Sequence, residues 1–153
     1  MDVPQKWIQL IGRLALGSIF LFSVAGKLTN WSGTVASAAS KGVPETLLVG
    51  ATALELVGAL LLLAGFKTRW GAAALVIFLI PVTLVFHGFW AVQGAQHQQQ
   101  LVQFLKNVAI AGGLLVEFVA GAGALSLDAR ARAGAAASIP TDLHESSRPL
   151  GSS

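Results

Sequence analysis

The sequence predicts an all-α integral membrane protein, a bundle of four membrane-spanning helices. Two compositional facts and one pattern point there. Of 153 residues, 54% are hydrophobic and only 11% are charged, whereas soluble domains carry about 25% charge. Mean hydropathy is +0.70. The apolar residues gather into four runs, at about residues 8–26, 47–65, 70–90 and 104–125, each near the ~20 residues that cross a bilayer as a helix.

The first run, IQLIGRLALGSIFLFSVAG, follows a short amphipathic lead and is broken only by Gln9 and Arg13. A cleaved signal peptide is the competing reading, with Ala36-Ser37-Ala38 as the small-residue site. The run is longer than the ~7–15 residues of a signal core, and Lys27, Asn30 and Trp31 separate it from the triplet, so an uncleaved span is expected. Thr29 to Thr46 reads as a polar, small-residue connection.

The second run, LLVGATALELVGALLLLAG, carries Glu55 near its midpoint. A carboxylate at mid-bilayer depth costs about 2.5–3.5 kcal/mol on the insertion scale, so it should face protein or trapped water and have a partner. A basic turn at Lys67 and Arg69 leads to the third run, bracketed by Trp70 and Trp90 as an interfacial aromatic belt predicts. Pro81 within it should kink the helix and free a carbonyl near Ile77. Val92 to Gln103, with GAQHQQQ at its centre, reads as a solvated loop. The fourth run begins at Phe104, holds Lys106 and Asn107 at its start and contains Glu117. Residues 129–153 lack a bulky apolar stripe and read as a disordered tail.

Lys and Arg flank the spans unevenly: Lys6, Lys67, Arg69, Arg130 and Arg132 on one side, Lys27, Lys41 and Lys106 on the other. The positive-inside rule then puts both termini in the cytoplasm and makes the tail cytoplasmic. The net charge of +3 is dispersed, without the basic run and interleaved aromatics of a nucleic-acid binder. The absence of cysteine excludes disulfide relay, thiolate metal sites and cysteine-ligated clusters. No histidines stand at metal-ligand spacing, His87 and His97 being ten apart, and no glycine motif for a nucleotide is present.

Helical spacing brings small residues to the buried charges. Ala51, Thr52, Gly58 and Ala59 surround Glu55; Ala109, Gly113, Glu117 and Gly121 follow at intervals of four; Gly17 lies four beyond Arg13. Counting the rise from the inner ends puts Arg13 at about 8 Å, Glu117 at about 12 Å and Glu55 at about 15 Å. These depths predict one inner cluster of Arg13, Glu55 and Glu117, serving either as a register-fixing ion pair or as a catalytic, proton-passing group. Lys27, His87, Lys106 and Asn107 fall at similar depths in the outer half. They are expected to line a polar pocket of donors without nearby acids, suited to a quinone head group or a small oxyanion. The alternatives are lysines snorkelling to head groups and an interfacial histidine.

Five short elements in order carry a resemblance. They are Arg13-Leu14-Ala15-Leu16-Gly17 with Gly26-Lys27-Leu28, then Glu55-Leu56-Val57-Gly58, then Gly65-Phe66-Lys67-Thr68-Arg69. Lys106-Asn107 with Gly112-Gly113 follows, and Gly121-Ala122-Gly123-Ala124-Leu125-Ser126-Leu127-Asp128 closes the series. Over about residues 8–128 the chain resembles the DoxX family of small four-helix bacterial and archaeal membrane proteins. Ala122 stands where that family often has proline. The resemblance implies a multi-pass protein of the bacterial inner membrane and raises the expectation of quinone-linked redox work beside partner chains, since the family's namesake is similar to the small subunit of a thiosulfate:quinone oxidoreductase.

Three functions are therefore expected to compete. The first is a membrane subunit of a quinone-linked oxidoreductase, with quinone as the cofactor and no metal or nucleotide. The second is a non-catalytic scaffold for partner proteins. The third is a small proton-coupled transporter, for which homo-oligomerisation would supply the missing volume.

Overall fold

The structure, a computed structural model, describes residues 3–137. Helix α1 (Val3–Thr29) is followed by the short α2 (Trp31–Ser40), then α3 (Glu45–Ala64), α4 (Thr68–Phe86), α5 (Gly94–Ala120) and α6 (Leu127–Ala137). A 3-10 turn at Phe89–Ala91 joins α4 to α5. Among the described residues there is no strand. Four segments are long and apolar enough to cross a bilayer: Pro4–Thr29, Glu45–Ala64, Thr68–Ala91 and Gly94–Ala120.

Three segments expected to be irregular are helical. The glutamine-rich stretch belongs to α5, which starts at Gly94 and not at Phe104. Glutamine is a good helix former, and His97 and Phe104, seven apart on one face, both stack edge-on against Phe89, at 5.5 and 5.3 Å between ring centres. The tail expected to be disordered begins as α6: the Ser126 hydroxyl caps it by accepting the Ala129 N–H at 3.1 Å, and alanine-rich sequence then propagates the helix to Ala137. Residues 138–153 of that expectation lie outside the described residues. The polar connection after the first span contains α2, capped by the Asn30 side chain accepting from the Gly33 N–H. The Trp31 indole donates to Glu45 at 3.1 Å and ties α2 to the start of α3.

The helices pack in the order α1, α3, α4, α5, with α1 and α5 meeting more sparsely. Their shared core holds Phe20, Ala59, Leu62, Ala72, Leu75, Phe78, Leu79 and Leu114. Helices α3 and α4 come close enough for backbone to meet backbone. A Cβ at Gly71 would stand 2.9 Å from the Leu61 Cβ and 3.1 Å from the Gly58 carbonyl oxygen, and one at Gly58 would stand 2.8 Å from Leu75. Small residues at this crossing let two backbones touch, which is how helices gain van der Waals contact in lipid. Helix α4 continues through Pro81, as intramembrane helices tolerate when neighbours re-satisfy the backbone.

The two ends of the bundle differ. At one end, the first turns of α1, the α3–α4 turn and the α5–α6 connection close on each other; at the other, α2 and parts of the four long helices line a cavity. Gly71→Ala should cost about 1–3 kcal/mol through overpacking, read as a lower thermal midpoint in nanodiscs. Gly112→Ala, where a Cβ meets nothing within 4 Å, should leave the midpoint unchanged. Equal midpoints for the two variants would contradict the α3–α4 contact.

Candidate functional site

The cavity has a volume of about 800 Å³. Its walls come from the second half of α1, from α2, from the first half of α3, from the second half of α4, and from α5. Glu55 lies in its wall, 1% exposed, and pairs with Lys27, whose side chain is 22% exposed. The Lys27 ammonium also stands 5.0 Å from the centre of the Phe78 ring, a cation–π contact that shields its other side. Lys27–Glu55 is the single ion pair among the described residues.

The pairing corrects the expected inner cluster, because Arg13 does not reach Glu55. Its guanidinium donates to the carbonyls of Ala122 and of Leu125, the latter at 2.8 Å, both in the α5–α6 connection, where irregular backbone lacks helical partners. Glu117 remains within electrostatic range of Arg13 without forming an ion pair, and its Oε1 has no hydrogen-bond partner. Glu55 and Glu117 therefore belong to different halves of the bundle. Glu55 and Glu117 share no hydrogen bond or ion pair among the described residues, and the fully buried Leu62 and Leu114 belong to the core.

Lys27, His87, Lys106 and Asn107 all line the cavity. The expectation of donors without an acid is corrected, since Glu55 lines it too. Asn107 is held by donating to the Thr83 hydroxyl at 3.0 Å, and that hydroxyl donates to the Leu79 carbonyl at 2.6 Å. His87 Nδ1 is 2.9 Å from the Gln100 Oε1. An amide oxygen accepts, so Nδ1 carries the proton and Nε2 is left for a ligand. The Lys106 ammonium has no ion-pair partner among the described residues. No three His, Asp or Glu side chains converge as a metal site among the described residues.

Sequence reasoning missed that Lys27 answers Glu55, and that Thr52, Phe78 and the α2 cap and helix residues Asn30 and Thr34 share the cavity. One signal was present: Lys27 and Glu55 are both mid-bundle groups if α1 ends below the rim. The ten-residue α2 that makes this so carries no bulky apolar stripe to announce it.

At the opposite end, a lock forms around the α3–α4 turn. Gly65 ends α3 in the left-handed conformation, φ 64°, and a Cβ there would stand 2.6 Å from both Arg13 and Ser126. The Asp128 N–H donates to the Gly65 carbonyl at 2.8 Å. Its carboxylate accepts from the backbone N–H groups of Lys67 at 2.8 Å and Thr68 at 3.0 Å, capping α4 from another helix.

The DoxX family model matches residues 8–88. The chain belongs to the DoxX family. This DoxX chain is 34% identical over 123 residues to inner membrane protein YphA of Escherichia coli (strain K12), a match covering 79% of it and 88% of that protein. It is 33% identical over 119 residues to inner membrane protein YqjF of the same organism, covering 78% and 88% respectively. No solved structure matches it significantly. Of the elements that carry the resemblance, those at Arg13, Lys27, Glu55 and Gly65 to Arg69 fall inside the matched segment. The ion pair and the turn half of the lock are thus built from residues of the DoxX match, while Ser126 and Asp128 lie beyond it.

Burial alone would raise the pKa of the Asp128 carboxyl, but the two backbone N–H donors and the charge of Arg132 outweigh it and hold the group below the ordinary carboxylate range. A depressed folded pKa contributes stability that is present above the unfolded value of about 3.9 and is lost as pH falls through the folded one. The thermal midpoint of the DoxX chain should therefore exceed that of Asp128→Asn at neutral pH. The gap should narrow as pH drops below about 4. A gap that stays constant across that range would contradict the capping role.

Proposed function

We propose that this DoxX chain is an inner-membrane quinone-binding subunit of an oxidoreductase system, and that the quinone head group lies in the cavity beside Lys106 and His87. One observation carries the reading: a space of about 800 Å³, within the usual range for small-molecule sites, is lined by Lys106, His87 and Asn107 at its polar part and by apolar side chains over the rest. Phe20, Leu48, Phe78 and Val82 supply such apolar wall. A planar, carbonyl-bearing head group on an apolar tail matches that division.

When bound, a quinone supplies two-electron, two-proton chemistry, with electrons from a redox-active partner protein. The chain's own residues have simpler tasks. The Lys106 ammonium donates a hydrogen bond to a carbonyl oxygen and, among the described residues, is the cation of the cavity not already committed to a carboxylate. His87, its Nδ1 proton held by Gln100, presents Nε2 as an acceptor, which takes the hydrogen bond and then the proton of a hydroquinone hydroxyl. Asn107, fixed on Thr83, sets the position of the α5 wall next to Lys106. The Lys27–Glu55 pair keeps its charges internally balanced, so the site as a whole is positive by Lys106 and favours an electron-rich head group. With both termini cytoplasmic, the orientation that the Lys and Arg distribution favours, the cavity sits in the outer half of the membrane.

Equilibrium binding of a quinone to the purified protein in nanodiscs tests this. Lys106→Ala and His87→Ala should each weaken binding on the order of ten-fold, about 1.4 kcal/mol. Unchanged binding in both variants would show that the head group lies elsewhere.

A further inference from the structure

The rows of side chains that pack α3 against α4 do not stop where the packing stops. On α3, Gly58 and Leu61 touch α4. From Gly58 the same row runs back toward the other end through Leu54, Gly50 and Leu47, at helical steps of four, four and three residues. On α4, Gly71 and Leu75 touch α3, and their row continues through Phe78 to Val85. In that continuation both rows border the cavity. Beyond the Gly58–Gly71 crossing, α3 and α4 thus each present one row to the cavity.

The cavity's rim along these two rows is exposed and apolar. Leu47 (60%), Leu54 (38%), Ile77 (64%) and Val85 (38%) are exposed although they line the cavity. Gly50 and Pro81, also exposed and also lining it, complete the two edges. In a membrane-spanning bundle, an exposed apolar edge at this depth faces acyl chains. Polar groups lie within the cavity and hydrocarbon begins at its rim.

We infer that the α3–α4 rim is a lateral doorway to the bilayer, through which a lipid-dissolved ligand enters head first, its long isoprenoid or acyl tail lying between Leu54 and Ile77. The inference rests on the proposed head-group site and narrows its ligand to a long-tailed amphiphile. A water-soluble small molecule would have no use for this opening. Gly50 provides the means of closing it, since a Cβ there meets nothing within 4 Å and a side chain can start from that position without a backbone clash.

The test compares Gly50→Trp with Val57→Trp, an exposed position on the same helix away from the rim. Two probes are used in nanodiscs: a benzoquinone with a long isoprenoid tail and the same head group without one. Gly50→Trp should weaken the tailed probe about ten-fold more than the tail-less one, and Val57→Trp should not separate them. Equal loss of both probes, or no loss of either, in Gly50→Trp would overturn the doorway while leaving the head-group site standing. A second measurement does not depend on quinone at all: a phospholipid with a photoreactive group at its acyl end should label the buried Leu48, Thr52 or Phe78 as well as outward residues. Labels confined to outward positions such as Val57 and Ile80 would overturn the doorway. If the unsubstituted chain binds neither quinone, the head-group reading falls, and the labelling pattern alone decides whether acyl chains enter.

Discussion

A carboxylate cannot stand alone at the middle of a membrane, and Lys27 is what answers Glu55. That single requirement organises the open half of the bundle. The lysine must come from α1, so α1 has to end near the level of Glu55, and the chain then needs α2 to regain the start of α3. Phe78 covers the ammonium from the α4 side. The space left among these elements is the cavity, and its polarity follows from the same cause: having brought one charge pair inside, the fold gains a place where His87, Lys106 and Asn107 can also be accommodated.

The other half is built on the opposite principle. There the helices touch through glycines, and polar groups are used to close helix ends. Arg13 serves the carbonyls of Ala122 and Leu125, Asp128 serves the amides of Lys67 and Thr68, and Gly65 makes room for Arg13 and Ser126 by lacking a Cβ. Between the halves the apolar core around Leu62, Leu75 and Leu114 seals the bundle. A tight half holds the helices in register, and an open half keeps the cavity.

The four spans are legible in the sequence because a bilayer imposes length and apolarity directly on it. So is the proximity of Lys27, His87, Lys106 and Asn107, since each sits near the same end of its span. The partner of Glu55 is not. Rise per residue gives depth along one helix but not the level at which that helix starts, and Arg13 and Lys27 are each within a long side chain's reach of mid-depth. The choice between them is made by α2, a short small-residue helix without a recognisable stripe. The start of α5 reads as a loop because glutamine is polar; packing against Phe89 outweighs that. The roles of Ser126 and Asp128 at the helix ends, and the row of cavity-lining residues beyond Gly58 and Gly71, require the three-dimensional arrangement.

The central claim is that Glu55 and Lys27 depend on each other. A double-mutant cycle with Lys27→Met and Glu55→Gln, read as unfolding free energy or thermal midpoint in nanodiscs, measures that dependence directly. Breaking one side of a buried pair is costly because a charge is left without a partner, so the double variant should be less destabilised than the two single losses summed, by at least roughly 1 kcal/mol. The same cycle with Arg13→Met in place of Lys27→Met should be additive. Additivity for Lys27 together with coupling for Arg13 would contradict the account.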